Sequence, residues 1–270
     1  MFYRAERSCT LDQYEVKLKM MKDPDRVLVV AVTSREVFET GADEGHLALK
    51  EDMSTQLLQL LHEMNKRMEQ ENLEETPQFD VILITTDSEQ QQQSSSIISS
   101  TKHHGLEISS FCFANEETFV ESLQKNNVQL FLTTDRSEAS EAMQEGVLSA
   151  LLDHRVASTP SDQLRIMFCE DAVIQPDTGL KPASRQALQS LASQLGAMRR
   201  RFSLSDSPLC FILVTTHGSK ESCAKSLLTL RSSGISVDEA YCLAGAPRDP
   251  IMSLLRSHFT IRISFSDPEE

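Results

Sequence analysis

The sequence predicts an α/β fold, a parallel sheet or sheets flanked by helices, and three observations carry that reading. Short apolar runs alternate with segments of helical periodicity, as in βαβ units, where parallel strands need helical crossovers. The order restarts near the middle, so the chain divides into two βαβ-rich halves. The 270 residues are 40% apolar and 24% charged, which suits one large α/β domain or two smaller ones of ordinary globular composition.

The elements are taken in chain order. Residues 26–32 (RVLVVAV) form a continuous apolar run, as expected of a strand buried on both faces. Over 51–71, Met53, Leu57, Leu60, Leu61, Met64 and Met68 recur near helical spacing and predict a long amphipathic helix. Residues 79–85 (FDVILIT), 107–114 and 128–133 read as strands, and 137–153 as a helix. The second half repeats the alternation: strand 164–168, helix 182–201, strand 209–215, helix 219–232, strand 239–243, helix 250–257 and strand 259–265. Residues 88–96 (SEQQQQSSS) have no apolar content to offset the entropy of ordering, and read as a solvated loop or a loose helix start.

The halves resemble each other. Ile82-Leu-Ile-Thr-Thr86 is similar to Ile212-Leu-Val-Thr-Thr216, and Gly105–Ala114 to Gly234–Ala244, both at an offset of about 130 residues. Either the chain carries an internal repeat or two βαβ units share a common strand–loop–helix pattern. The expected organisation is an N-terminal extension at 1–25, a Rossmann-like half at 26–158 and a C-terminal half at 159–270.

A net charge of −14 argues against nucleic-acid binding, which needs clustered cations to displace counterions. No run is long and apolar enough for a membrane span, and the N-terminus lacks a signal-peptide core. The six cysteines form no CxxC pair, and Cys112, Cys210 and Cys242 lie in apolar runs. Together these predict a cytoplasmic protein with reduced thiols.

The stretch that carries chemistry is Gln163–Val173 (QLRIMFCEDAV), an apolar strand running into a tight acidic turn. With Leu213-Val-Thr215, the run from Leu228 to Gly234, and Asp238–Pro247 (DEAYCLAGAP) followed by Arg248, it resembles the cytosolic 5′-nucleotidase type 1 family. Looser matches are AVTSREVF at 31–38 and FDVILITTD at 79–87. The resemblance covers most of the chain. It implies a haloacid-dehalogenase-like Rossmann arrangement and a magnesium-dependent hydrolysis of nucleoside 5′-monophosphates such as AMP and IMP.

It also implies residue roles. The family carries Asp-x-Asp after the strand, the first Asp being nucleophile and metal ligand and the second the acid and base. Cys169 stands at the first position and Asp171 at the second, where it is also a weak metal ligand. Thr215 matches the phosphate-binding hydroxyl, and Arg248 stands where the family has Lys. The adjacent acids that complete the family's magnesium site fall on Arg262 and Ile263, unless a shifted alignment brings in Asp267. The family's glycine-rich segment falls on Phe113–Glu117, which has no glycine.

A thiol of ordinary pKa is mostly protonated at neutral pH, and its soft sulfur is a poor magnesium ligand. A nucleophilic thiolate would want N–H groups and an Arg just after it, whereas Glu170 and Asp171 come next after Cys169. The residues also have simpler readings: Asp171 as a turn carboxylate, Thr215 as a strand end, Arg248 as a solvated cation. The expected protein is a nucleotidase-like pseudoenzyme, its nucleoside monophosphate binding weak or lost. The alternatives are an active enzyme that uses magnesium in a rearranged site, or a non-catalytic protein forming homo- or hetero-oligomers with a related nucleotidase. Ser203, after Arg199-Arg-Arg-Phe, reads either as a kinase acceptor or as part of a cationic helix end. His103, His104 and His217 have no metal spacing.

Overall fold

The computed structural model describes residues 9–10, 13–17, 27–39, 47–50, 53–70, 78–86, 93–115, 117–152, 162–173, 182–203, 206–216 and 220–262. The chain forms two compact units, Met1–Leu132 and Thr133–Glu270. In the first, the elements are β1 (Cys9–Thr10), β2 (Gln13–Lys17), β3 (Val27–Thr33), α1 (Ser34–Val37), α2 (Met53–Gln70), β4 (Gln78–Thr85), α3 (Ser94–His103), β5 (Ser110–Phe113), α4 (Phe119–Lys125) and β6 (Leu130–Thr133). Their strand order is β1-β2-β5-β4-β3-β6. From β5 to β6 the pairings are parallel, as the apolar runs predict. Strands β1 and β2, from the segment read as an extension, add antiparallel pairs at one edge. Helix α2 buries Leu57, Leu61, Met64 and Met68 of the predicted amphipathic pattern and also Leu58, while Leu60 is only half-buried.

The second unit holds α5 (Arg136–Gln144), β7 (Ser149–Leu152), β8 (Leu164–Cys169), α6 (Glu170–Val173), α7 (Pro182–Arg201), β9 (Leu209–Thr215), α8 (Lys220–Ser232), β10 (Glu239–Cys242), α9 (Arg248–Leu255) and β11 (Phe259–Ile261). The strand order is β7-β11-β8-β9-β10. Strand β9 is buried at all seven positions, as befits a central strand covered on both faces. Phe168 of β8 and Phe211 of β9 are fully buried and meet edge to face with ring centroids 6.2 Å apart. Edge strand β10 is only half-buried in alternation, and Cys242 at its end is exposed, contrary to the expectation of an apolar-run thiol.

Residues 137–153, read as one helix, divide. The Asp135 carboxylate caps α5, accepting from the N–H of Ser137 at 2.7 Å and of Glu138 at 3.2 Å. The helix stops at Gln144, because Gly146 adopts φ 91° and the Val147 N–H returns to the Ala142 carbonyl at 2.9 Å. The next apolar residues then extend as β7, antiparallel to β11. Helices α3 and α4 also go beyond the sequence reading. The first residues of α3 lie in the serine-rich stretch, and Ile97 just after it supplies a fully buried anchor.

Helix α7 packs closely on the turn after α8. A Cβ at Gly196 would lie 2.1 Å from the Gly234 carbonyl oxygen. Backbone cannot yield as a side-chain tip would, so Gly196→Ala is expected to destabilise the protein by about 2 kcal/mol. A lower urea midpoint at unchanged m-value checks this; an unshifted midpoint refutes the close approach.

The edge of the second unit where its parallel strands begin is tied by Arg165. Its Nη2 donates to both carboxylate oxygens of Glu239, at 2.9 and 3.1 Å, and its Nε to the Leu255 carbonyl at 3.1 Å. His258 reinforces the β8–β11 register: its Nδ1 accepts from the Arg165 N–H at 3.0 Å, and its own N–H donates to the Arg165 carbonyl at 2.9 Å. His258 is 1% exposed, and burial pushes its pKa down from 6.5 to about 4. The folded state therefore resists protonation that the unfolded chain accepts. His258 leaves stability undiminished above its unfolded pKa and lowers it as pH falls from about 6.5 towards 4. Between pH 7 and 5 the loss should be about 2 kcal/mol. Urea titrations at the two pH values, with His258→Gln for comparison, check the sign. Equal acid losses in both proteins would refute it.

Candidate functional site

The parallel strands of the second unit end together. Cys169 closes β8 and pairs in register with Val214, while Thr215 closes β9 and pairs with Cys242. On the other side of β8, Ile261 of β11 pairs with Phe168, so Arg262 leaves its strand beside Cys169. The chain runs from β8 outward to β9 and β10, then crosses back to β11 on the opposite flank. Cys169 thus stands where strand order reverses, the place at which open α/β sheets open a crevice for ligands.

Arg248 reaches this edge through the loop after β10. The Leu243 N–H donates to the Thr215 carbonyl at 2.9 Å, and the Gly245 N–H to that of Thr216 at 3.0 Å. Ala244 and Gly245 take φ 52° and 85°, so the loop turns back over the end of β9. Arg248 opens α9, and its Nη2 donates to Thr216 Oγ1 at 3.3 Å.

Cys169 is 3% exposed. Burial, and then the negative charge of Asp171, push its thiol up to about 12, although Arg262 and Arg248 pull the other way. At neutral pH the thiol therefore stays protonated. Asp171 is half-buried, and its Oδ1 accepts the Ala172 N–H at 2.9 Å, a contact within its own turn. Thr215 is fully buried, and its Oγ1 has no hydrogen-bond partner among the described residues.

The sequence reading missed Glu170, Thr216, Ser222 and Arg262 as interacting groups. Glu170 is 6% exposed although ionisable. Its Oε2 accepts the Thr216 N–H at 2.9 Å and the Thr216 hydroxyl at 3.3 Å, and its Oε1 accepts the Ser222 hydroxyl. The one signal for this was the Glu itself, a large acid in the middle of a tight turn. Its partners are 46 and 52 residues away.

Magnesium takes several oxygen ligands. The described carboxylates at this edge are Asp171 and the already bonded Glu170, and the charges of Arg248 and Arg262 act on the same spot. Among the described residues no group of three or more His, Cys, Asp or Glu side chains could hold a metal ion. The described donor set does not fit the cation. Asp267, Ile263 and His217 lie outside the described residues. Arg199, part of the candidate kinase motif, is buried and paired with Asp238 at 3.0 Å, while Ser203 is exposed. Among the described residues no helix is long and apolar enough to cross a membrane.

Comparison with known proteins gives two findings. The 5′-nucleotidase family profile matches residues 42–181, about half of the chain, including Cys169 and Asp171. Human cytosolic 5′-nucleotidase 1B is 29% identical over 227 residues, which cover 73% of this chain and 36% of the human protein. The chain therefore spans well under half the length of that relative.

Proposed function

Because this chain belongs to the 5′-nucleotidase family, we propose that it is a nucleotidase-like protein whose own hydrolytic site is impaired. The carrying observation is Cys169. It stands at the nucleophile position as a buried thiol with its pKa pushed up to about 12. Nucleophilic catalysis needs an activated anion in line with phosphorus, and a buried thiol beside Asp171 is the reverse of that. Asp171 holds the acid–base position of the family pattern. Thr215 and Arg248 hold the phosphate positions, with a hydroxyl that has no partner among the described residues and a guanidinium next to the strand end. The ligand class is a nucleoside 5′-monophosphate such as AMP or IMP, bound weakly. In the family, magnesium supplies charge neutralisation at phosphorus. The described residues leave that unsupported, with Arg262 at a place where the family has an acid.

The test is phosphate release from AMP and IMP by purified protein with magnesium. Turnover at the rate of an ordinary hydrolase, with contaminants excluded by mass spectrometry, would overturn this reading.

A further inference from the structure

The N–H of Thr216, its hydroxyl and the hydroxyl of Ser222 converge on one carboxylate, that of Glu170. Arg248 donates to the same Thr216 hydroxyl. Ser222 lies in the first turn of α8, a helix of 13 residues, whose N-terminal end favours negative charge. Beside it, the fully buried Thr215 hydroxyl has no partner among the described residues. A backbone N–H, clustered hydroxyls and a guanidinium at a strand end are the donors that hold a phosphate oxyanion. Here the Thr216 N–H and the Thr216 and Ser222 hydroxyls hold the protein's own carboxylate, and the guanidinium bonds the Thr216 hydroxyl.

We propose that Glu170 is the resident anion of the place where a substrate phosphate would sit, so that the chain excludes nucleotides by occupying its own site. The inference rests on the siting given under Proposed function, and it adds a cause of exclusion independent of the lost nucleophile. Glu170 determines specificity in the negative sense. A phosphate must displace it from its donors and then share a low-dielectric space with the displaced charge, and like charges held that close repel strongly. Occupation also explains how an ionisable side chain 6% exposed is accommodated, since buried charge requires hydrogen-bond partners.

The experiment is calorimetry of the full chain with AMP, and separately with inorganic phosphate, for wild type, Glu170→Gly and Glu170→Gln. Wild type should bind either ligand at about millimolar or weaker. Glu170→Gly should tighten binding by about tenfold or more, roughly one charge-assisted contact regained. Added phosphate should raise its melting temperature but not that of wild type. Placing Arg248→Ala in the Glu170→Gly background should remove the gain. Glu170→Gln keeps the shape and removes the charge, so it should show a smaller gain in the same direction, and it serves as the test if the glycine variant fails to fold. Folded variants that bind no better than wild type would overturn the proposal. So would micromolar, Arg248-dependent binding by wild type; if turnover is also absent, impaired hydrolysis stands while self-occupation falls. Turnover by wild type would overturn both.

Discussion

Incubated with AMP or IMP and magnesium, the purified protein is expected to release phosphate no faster than a blank. Hydrolytic enzymes lower their barriers by about 8 kcal/mol or more, and for phosphoryl transfer that reduction comes from an anionic nucleophile and neutralised charge. Loss of a nucleophile that works as part of a unit lowers kcat on the order of a million-fold. The thiol at the proposed nucleophile position is 3% exposed, and burial and Asp171 push its pKa up. Arg248 and Arg262 counter that effect without reversing it. The measurement is a malachite-green time course at several enzyme concentrations. A rate proportional to enzyme and dependent on magnesium would show that the chain has rebuilt its chemistry from other groups.

Cys169→Asp is expected to leave that rate within about tenfold of the blank, worth no more than about 1.4 kcal/mol of barrier. The new carboxylate would lie between Arg248 and Arg262, which favour its ionised form, but restoring one anion does not restore a cation site. Asp171 and the new Asp supply two carboxylates. Glu170 remains bonded to Thr216 and Ser222, and Arg262 still repels a divalent ion. A melt monitored by circular dichroism verifies that the variant is folded. Turnover comparable to an ordinary nucleotidase from this single change would mean that another acid completes the site, with Asp267 the first candidate and Cys169→Asp/Asp267→Ala the deciding variant.

Much of the second unit was legible because burial on both faces leaves a plain mark. Strands β8 and β9 are short runs, apolar but for Arg165 and the closing Thr215, and α7 places Leu191, Leu195 and Met198 at helical spacing on its buried face. The division of 137–153 into α5 and β7 was harder, since Val147 through Leu152 suits either element. Gly146 was the local signal for the break. The partner strand β11, more than a hundred residues on, made the segment after Gly146 a strand rather than more helix. Helix α3 carries too few apolar residues, and the seven-residue α4 too few turns, for periodicity to announce them.

Sequence by itself determined the chemistry of the strand ends. A thiol at 169, an acid at 171, a hydroxyl at 215 and a cation at 248 are facts of residue type, and the strands that carry them are facts of local pattern. Tertiary structure alone decided how those groups spend their charge. Whether a carboxylate in the turn after β8 faces water or holds the N–H and hydroxyl of Thr216 and the hydroxyl of Ser222 depends on where β9 and α8 deliver those donors. The pKa of Cys169 depends likewise on its burial and on Arg248 and Arg262, which arrive from distant segments. Electrostatics in a protein interior acts through space over a few ångströms with little solvent to screen it, so its outcome is set by folded proximity rather than by neighbours along the chain.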